Sequence, residues 1–365
     1  VLPRARIKGS PEDFVVDEIP VYEPSGEGDH LFVRFTKRAL TTDEAVRAIG
    51  RAMGVKLRDI GVAGLKDKVG ITTQTISLPM PRGPANGPPF VERARALSLD
   101  GITVVDARPH GNKLKTGHLV GNRFTLRVGG LERSRLHEIV AGLERIGREG
   151  LPNAFGPQRF GKAKDNAERA RAWLSGRAPA PGDPRLRRLL WSALQAEMFN
   201  AVLDERVADG TWKTPLLGDL VKRRVSGGLF LCADVQVDQE RADRGELSPT
   251  GPIFGVKMRS PEGEPARLEQ RIVTQMLGEN VDLAATKVLG EGTRRALRLW
   301  VEDLRVELLD DPNDGANREQ DASIRVYFVL PKGAYATTVL SSVVDWESPP
   351  GTLATASEAR EAEIE

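Results

Sequence analysis

Lys66-Asp67-Lys68 sets one carboxylate between two ammonium groups, inside the segment AGLKDKVGITTQ that runs from Ala63 to Gln74. A loop Asp most often stabilises its own turn. Here Gly64-Leu65 precedes the acid, and a backbone turn at that point would lift the side chain off a sheet edge. The flanking lysines would favour the charged carboxylate by Coulomb attraction. A charged carboxylate so placed can act as a nucleophile or a base, which makes Asp67 the first candidate for chemistry.

Three further segments hold residues of interest. In KTGHLVGNRFTLRV, from Lys115, Gly121-Asn122 reads as a turn entering a strand. Phe124 is either core or an aromatic wall on which a flipped base stacks, the latter worth roughly 1–3 kcal/mol. The Asn122 amide matches a pyrimidine edge, or satisfies its own turn. In IKGSPEDFVVDEIP, from Ile7, Lys8 and Phe14 taken alone read as a surface base and a core ring. In LPKGAYATTVLSSVV, from Leu330, Gly333-Ala334 permits close backbone approach and Tyr335 offers a ring and a hydroxyl. Its alternative is a buried tyrosine at a strand end.

Other chemistries lack their residues. No GxxxxGK[ST] phosphate loop, GxSxG elbow, CxxC or HxxxH occurs. His30, His110, His118 and His137 lack ligand spacing, so no metal site is expected. The one cysteine, Cys232, cannot close an internal disulfide, which fits a reducing cytoplasm. No apolar run is long enough to span a membrane or to form a secretory leader in VLPRARIKGSPEDF. Hydrophobic residues at 40% and charged ones at 28% give the balance of a soluble globular protein. The net charge of +2 hides clustering. Val105–Gly130 carries five Lys/Arg against one Asp, and Arg159–Arg188 nine against three acids. Glu358, Glu361, Glu363 and Glu365 in the tail mask that excess. Clustered bases point either to a polyanion partner or to solvated helix faces.

Elements to position these residues can be read from periodicity. LFVRFTK, residues 31–37, alternates as a half-buried strand does. TTDEAVRAIGRAMG predicts a helix, with Thr41 and Glu44 as a capping box and Gly54 as its stop. Gly61–Leu78 predicts strand, turn and strand around Asp67, and 79–90 a loop. RFTLRVGG puts Phe124, Leu126 and Val128 on one strand face and Arg123, Thr125 and Arg127 on the other. A helix follows from about Ser134. Beyond Gly150 a short helix at Asp165, a long one over 185–208 and another over 267–277 are expected, with loop over 240–265. IRVYFVLP returns to strand. At 365 residues two domains, or one domain with a large insertion, are expected. The economical layout is one sheet built from both ends of the chain, with the middle block inserted.

In this order, KGSPEDFVVDE, GEGDHLFVR, AGLKDKVGITTQ, GHLVGNRFTLR, GLPNAFGPQRFG and LPKGAYATTV closely resemble the TruD-type pseudouridine synthases, which act on uridine in tRNA. The matches run from Lys8 to Val339, and several motifs in fixed order are far more specific than any one of them. The resemblance implies an α+β fold: a mixed, mainly antiparallel catalytic sheet with flanking helices over 1–149 and 301–350, and an inserted helix-rich α/β TRUD domain over 150–300. The insertion would face the sheet across an RNA-binding cleft, and 351–365 would be a disordered acidic tail. The resemblance also implies a cofactor-free monomer that isomerises uridine, at position 13 of tRNA. Asp67 matches the catalytic aspartate, Lys66 its basic neighbour and Lys8 a base near the site. Phe14, Asn122 and Tyr335 match substrate contacts, and Phe124 the ring of the uracil pocket. Two departures stand out. Gln195-Ala196 replaces Arg-Ser in the long insertion helix, and Ser341-Ser342 replaces Arg-Glu after ATTVL. Two rival readings remain: a non-catalytic tRNA-binding factor on the same scaffold, and a carboxylate-dependent nucleoside hydrolase using Asp17 or Glu18 as a second acid.

Overall fold

The structure is a computed structural model that describes residues 1–7, 9–81, 88–161, 163–278, 286–309 and 321–347. Lys8, residues 82–87 of the expected loop and the acidic tail lie outside the described residues. Contacts divide the chain into two compact units, Val1–Glu149 with Trp300–Glu365, and Gly150–Leu299.

The first unit contains β1 (Arg4–Ile7), β2 (Phe14–Pro20), β3 (His30–Arg38), α1 (Thr42–Met53), β4 (Gly61–Val62), β5 (Ile71–Pro79), α2 (Pro88–Arg95), β6 (Ser98–Leu99), β7 (Ile102–His110), β8 (Leu119–Glu132) and α3 (Leu136–Glu149). The second contains β9 (Leu151–Pro152), α4 (Asn166–Leu174), α5 (Pro184–Ala208), β10 (Leu220–Arg223), β11 (Leu229–Leu231), α6 (Val235–Asp243), β12 (Leu247–Ile253), α7 (Gly263–Leu277), β13 (Thr293–Ala296) and β14 (Arg298–Leu299). The chain then returns to the first unit with β15 (Glu302–Leu309), β16 (Asp321–Pro331), α8 (Ala336–Leu340) and β17 (Asp345–Glu347).

One sheet organises the first unit, in the order β15-β16-β8-β2-β5-β3-β7-β6, with β1, β4 and β17 attached beside it. Its pairs are antiparallel except β2 with β5 and β1 with β17. Alternation decides which face is covered. Leu31, Val33 and Phe35 of β3 are fully buried and pack on Ala45, Val46 and Ile49 of α1. That helix starts where its sequence says. Thr41 Oγ1 accepts the Glu44 N–H, and the Glu44 carboxylate accepts the Thr41 N–H at 2.7 Å. Each orphan amide of the first turn satisfied this way favours the helix by about 1 kcal/mol. In β8, Phe124, Leu126 and Val128 are buried on one face, as the period-two pattern requires.

The second unit packs Leu190, Trp191, Leu194 and Met198 of α5 against Ala167 and Ala170 of α4 and Ile272 and Val273 of α7. The loop expected over 240–265 is corrected: α6 extends to Asp243 and β12 occupies Leu247–Ile253. Pro249 and Pro252 argue locally against a strand. Pairing with β10 on one edge and β13 on the other overrides that preference. Gln195, one of the two departures, is buried, and its Nε2 donates to the Phe254 carbonyl at 2.5 Å. It is a core residue of this unit. No helix among the described residues is long and apolar enough to cross a membrane.

Cys232 is fully buried beside Asp238, and burial, then the Asp238 carboxylate, pushes its thiol up to about 12. Native protein at pH 8 should leave Ellman's reagent unreacted over the time in which urea-unfolded protein releases one equivalent of thiolate; rapid native reaction would contradict this packing.

Candidate active site

β5 has β3 on one edge along its whole length, from Ile71 opposite Arg38 to Pro79 opposite His30. Its other edge is shared. β2 takes the first part, with Val15, Val16 and Asp17 beside Ile71, Thr72 and Thr73. β4 takes a later part, with Gly61 and Val62 opposite Ser77 and Ile76. The segment from Ala63 to Gly70 must run from the end of β4 back to the start of β5. β2 already occupies that edge, so the segment has to leave the sheet plane. Asp67 sits in this excursion and is half-buried. At its end Gly70 adopts φ +148°, and a Cβ there would lie 2.4 Å from the Phe14 carbonyl oxygen. Only glycine fits so close an approach.

Two lysines hold the excursion against one face. Lys37 is fully buried, and its Nζ donates to the carbonyls of Asp67 and Leu40, each at 2.6 Å. Lys66 is also buried, and its Nζ lies 2.8 Å from Glu18 Oε2. The other Glu18 oxygen accepts the Thr75 N–H at 3.1 Å. That bond falls just past the last β2–β5 pair, Asp17 with Thr73, where the two strands part. The carboxylate thus replaces a missing ladder partner. The Lys66 N–H donates to Thr42 Oγ1 at 2.8 Å, and Thr42 Oγ1 donates to Gln74 Oε1 at 3.0 Å. The capped start of α1 therefore anchors the loop directly.

The two flanking bases have further partners. Lys66 spends its ammonium on Glu18, and Lys68 lies 3.6 Å from Glu44. Each flanking base thus pairs with a carboxylate outside the Lys66-Asp67-Lys68 segment.

Register shows what shares the face. Lys37 pairs with Thr72, Thr72 with Val16, Val16 with Phe124 and Phe124 with Phe328. Residues paired in this way project to one side of a sheet. The Lys37 row that tethers Asp67 therefore continues into the aromatic row. Phe124 is 6% exposed, with Phe328 stacked on it at 5.3 Å between centroids and Phe14 edge-on at 6.3 Å. Much of the ring is thus committed to packing, and only its margin is open. Asn122 follows along the strand, between Glu18 and Leu330. Tyr335 is half-buried at the residue preceding α8, five positions past Leu330. The structure brings Asp67, Lys66, Phe14, Asn122 and Phe124 to one face; Lys8 lies outside the described residues.

Asp17 projects to the other face, paired with Arg123 and Thr73. With Glu18 occupied by Lys66 and Thr75, the second acid that a hydrolase needs is not supplied by either residue. Buried polar atoms near the loop lack a hydrogen-bond partner among the described residues: Thr72 Oγ1, Gln74 Nε2 and Asn122 Oδ1. Such atoms are where a water or a bound polar group is wanted. The sequence reading missed Lys37, Thr42 and Gln74. Lys37 carried a signal, since a lysine stood in the apolar register of Leu31, Val33 and Phe35. It also missed a cavity of about 330 Å³ lined by Tyr22, Phe32, Arg34, Thr75, His118 and Arg123, in which Tyr22 Oη lies 2.8 Å from His118 Nδ1.

The profile of the family described as tRNA pseudouridine synthase D (TruD) matches residues 4–174 and 176–343. The chain belongs to the tRNA pseudouridine synthase D (TruD) family. It is 44% identical over 344 residues to tRNA pseudouridine synthase D of Anaeromyxobacter sp. (strain Fw109-5), covering 93% of this chain and 92% of that protein. It is 36% identical to the protein of that name from Thermus thermophilus, covering 94% and 89%. The crystal structure of a putative tRNA pseudouridine synthase D (TruD) from Methanosarcina mazei shares the fold, with a TM-score of 0.74 over 94% of each chain at 23% identity. Against that TruD background, the second departure also has a local account. Ser341 Oγ accepts the Trp346 Nε1–H at 2.8 Å and Ser342 Oγ donates to the Val339 carbonyl at 2.6 Å, so both serines tie down the chain after α8.

Breaking the Glu18–Lys66 pair from either side leaves a buried charge without its counter-ion, at a cost of about 3–5 kcal/mol. Urea denaturation of Glu18→Gln and Lys66→Met should show that loss singly, and the double variant should lose less than their sum. The Glu44 carboxyl is held below its ordinary range, first by the Thr41 amide and then by the Thr41 hydroxyl, with Lys68 adding to the effect. A depressed folded value means the stabilisation is present above the ordinary Glu range and is lost as pH falls through the lowered one. Melting temperatures followed downward from pH 6 should fall less steeply for Glu44→Gln than for the native chain.

Proposed function

We propose that this chain is a tRNA pseudouridine synthase that isomerises uridine, at position 13 of tRNA, with Asp67 as the reacting carboxylate. The observation that carries the assignment of Asp67 is its seat: half-buried, with its backbone carbonyl held by Lys37 and its loop laid over the face that bears Phe14, Phe124 and Asn122. The relatives' shared name supports the activity.

The reaction breaks the bond from uracil N1 to ribose C1′ and makes one from C5 to C1′. The proton at C5 departs and N1 gains one, so no electrons are exchanged and no cofactor is required. Asp67 serves by attacking the base, or by attacking or deprotonating the sugar. The target nucleotide must leave its stack, which costs a few kcal/mol. The Phe14–Phe124 edge offers an apolar wall for the extruded ring, and the Asn122 amide, whose Oδ1 lacks a partner among the described residues, matches the N3–H of uracil. Tyr335 closes the same end of β16 and β8. Lys8, which matches a base near the site in this family, completes the set.

Exposed Lys164, Arg169, Arg185 and Arg188 of the second unit supply charge for the RNA backbone. Arg171 and Arg177 of the same stretch are instead paired with Glu168. The enzyme works as a monomer in the cytoplasm, a setting that suits its one buried thiol.

Unmodified tRNA transcript is incubated with enzyme, pseudouridine is derivatised with a carbodiimide, and stops are mapped by primer extension. Asp67→Asn should give no stop at position 13 while filter binding of tRNA is largely retained. Full activity in that variant removes Asp67 from the mechanism. Charge reversal at Arg169, Arg185 and Arg188 should instead weaken binding, and native binding should drop steeply between about 50 and 200 mM salt.

A further inference from the structure

We infer that Lys37 is a positioning residue for Asp67: its buried ammonium fixes the peptide that carries the reacting carboxylate. The inference rests on Asp67 being the reacting group. Lys37 continues the alternation of Leu31, Val33 and Phe35 on the helix-covered face, where an apolar side chain would ordinarily stand. It is 0% exposed. An ammonium taken wholly out of water is tolerated only where strong acceptors replace its hydration. Here the acceptors include two backbone carbonyls at 2.6 Å. One belongs to Leu40, at the entry to α1. The other belongs to Asp67 itself.

The choice of that carbonyl has a geometric consequence. The N–H of Lys66 is fixed by Thr42 Oγ1, and the C=O of Asp67 is fixed by Lys37 Nζ. These two groups bracket the residues 66 and 67. Between them lie only the backbone torsions of those two residues, and the Lys66 side chain is itself held by Glu18. The backbone that carries the Asp67 carboxylate is therefore held on both sides. Both anchors lead back to the start of α1, through Thr42 and through Leu40. Helix, strand and loop are thus locked as one body behind the carboxylate. Displacing a reacting group by about 1 Å can lower the rate about 100-fold without weakening substrate binding.

The test is Lys37→Met, which keeps the side-chain volume and removes the charge and the donors. Single-turnover conversion of tRNA transcript is measured at a temperature where circular dichroism shows native and variant chains equally folded. The rate constant should fall about 10- to 100-fold, while the tRNA dissociation constant changes less than about threefold. Hydrogen exchange should rise in the peptide covering 63–70 and stay unchanged in β8 and α3. Lys37→Gln, a neutral donor on a shorter stem, should recover part of the rate. A folded Lys37→Met with native rate overturns the inference, and so does a variant that loses only tRNA affinity. If neither variant folds, Lys37 is a folding element alone and the inference also falls. Asp67→Asn run in parallel separates the two levels. Activity in Asp67→Asn overturns the assignment of the carboxylate, whereas an inactive Asp67→Asn beside a fully active Lys37→Met overturns only the role of Lys37.

Discussion

Two strands compete for one edge of β5, and the loop bearing Asp67 is the result. β2 holds the early part of that edge in parallel and β4 a later part in antiparallel sense. The return from β4 to β5 has nowhere to go in the plane. It is lifted onto the face that α1 covers at one end and that Phe14 and Phe124 occupy at the other. A loop held off a sheet this way has no ladder to satisfy its peptide groups. Buried peptide groups without partners are costly, so side chains must stand in. Thr42 takes an N–H and Lys37 takes a carbonyl. Where β2 and β5 part, Glu18 takes the Thr75 N–H that the ladder has abandoned.

The same geometry gives the two bases that flank Asp67 in sequence further carboxylate partners in space. A buried carboxylate such as Glu18 is stabilised by a cation, and Lys66 on the lifted loop supplies one. Lys68, one residue past the acid, faces the capped end of α1 and meets Glu44. The sequence K-D-K thus encodes two separate attachments of the loop, one to β2 and one to α1, on either side of the carboxylate. Ion pairs of this kind add less to net stability than their closeness suggests, since desolvation offsets most of the attraction. What they add is a unique position for the residue between them.

Much of the fold was legible because its signals are local. The Thr41–Glu44 box and Gly54 delimit α1, and alternation in 123–128 separates a buried row from a more exposed one without any tertiary information. The long helix α5 announced itself with Asp183-Pro184, whose carboxylate accepts the Arg185 N–H. β12 was illegible because two prolines speak against it, and only its neighbours on both edges make it a strand. At the site, Asp67, Phe14, Phe124 and Asn122 were legible as types of residue in recognisable segments. Their joint placement was not, because it depends on the register of β2, β8 and β5, which no short segment contains. Lys37 shows the limit most clearly. Its place in the apolar register of Leu31, Val33 and Phe35 was visible in sequence, but not the Leu40 and Asp67 carbonyls that make its full burial tolerable.

Under the function proposed above, the row from Lys37 through Thr72 and Val16 to Phe124 and Phe328 also bears on how a nucleotide would be received. Extruding a base already costs energy, and a receptor that must order itself adds its own conformational entropy to that cost. This floor has little left to order. Its rings pack on one another, its loop is pinned at two peptide groups, and its strands are paired on both edges. The polar atoms still seeking partners, Thr72 Oγ1 and Asn122 Oδ1, lie within or next to that row. Rigidity and unsatisfied polarity in the same place are opposed in a structural core, where each buried donor and acceptor is normally matched. At this face of the sheet they coincide, and the unmatched Thr72 Oγ1 and Asn122 Oδ1 leave hydrogen-bonding capacity there for a water or another polar group.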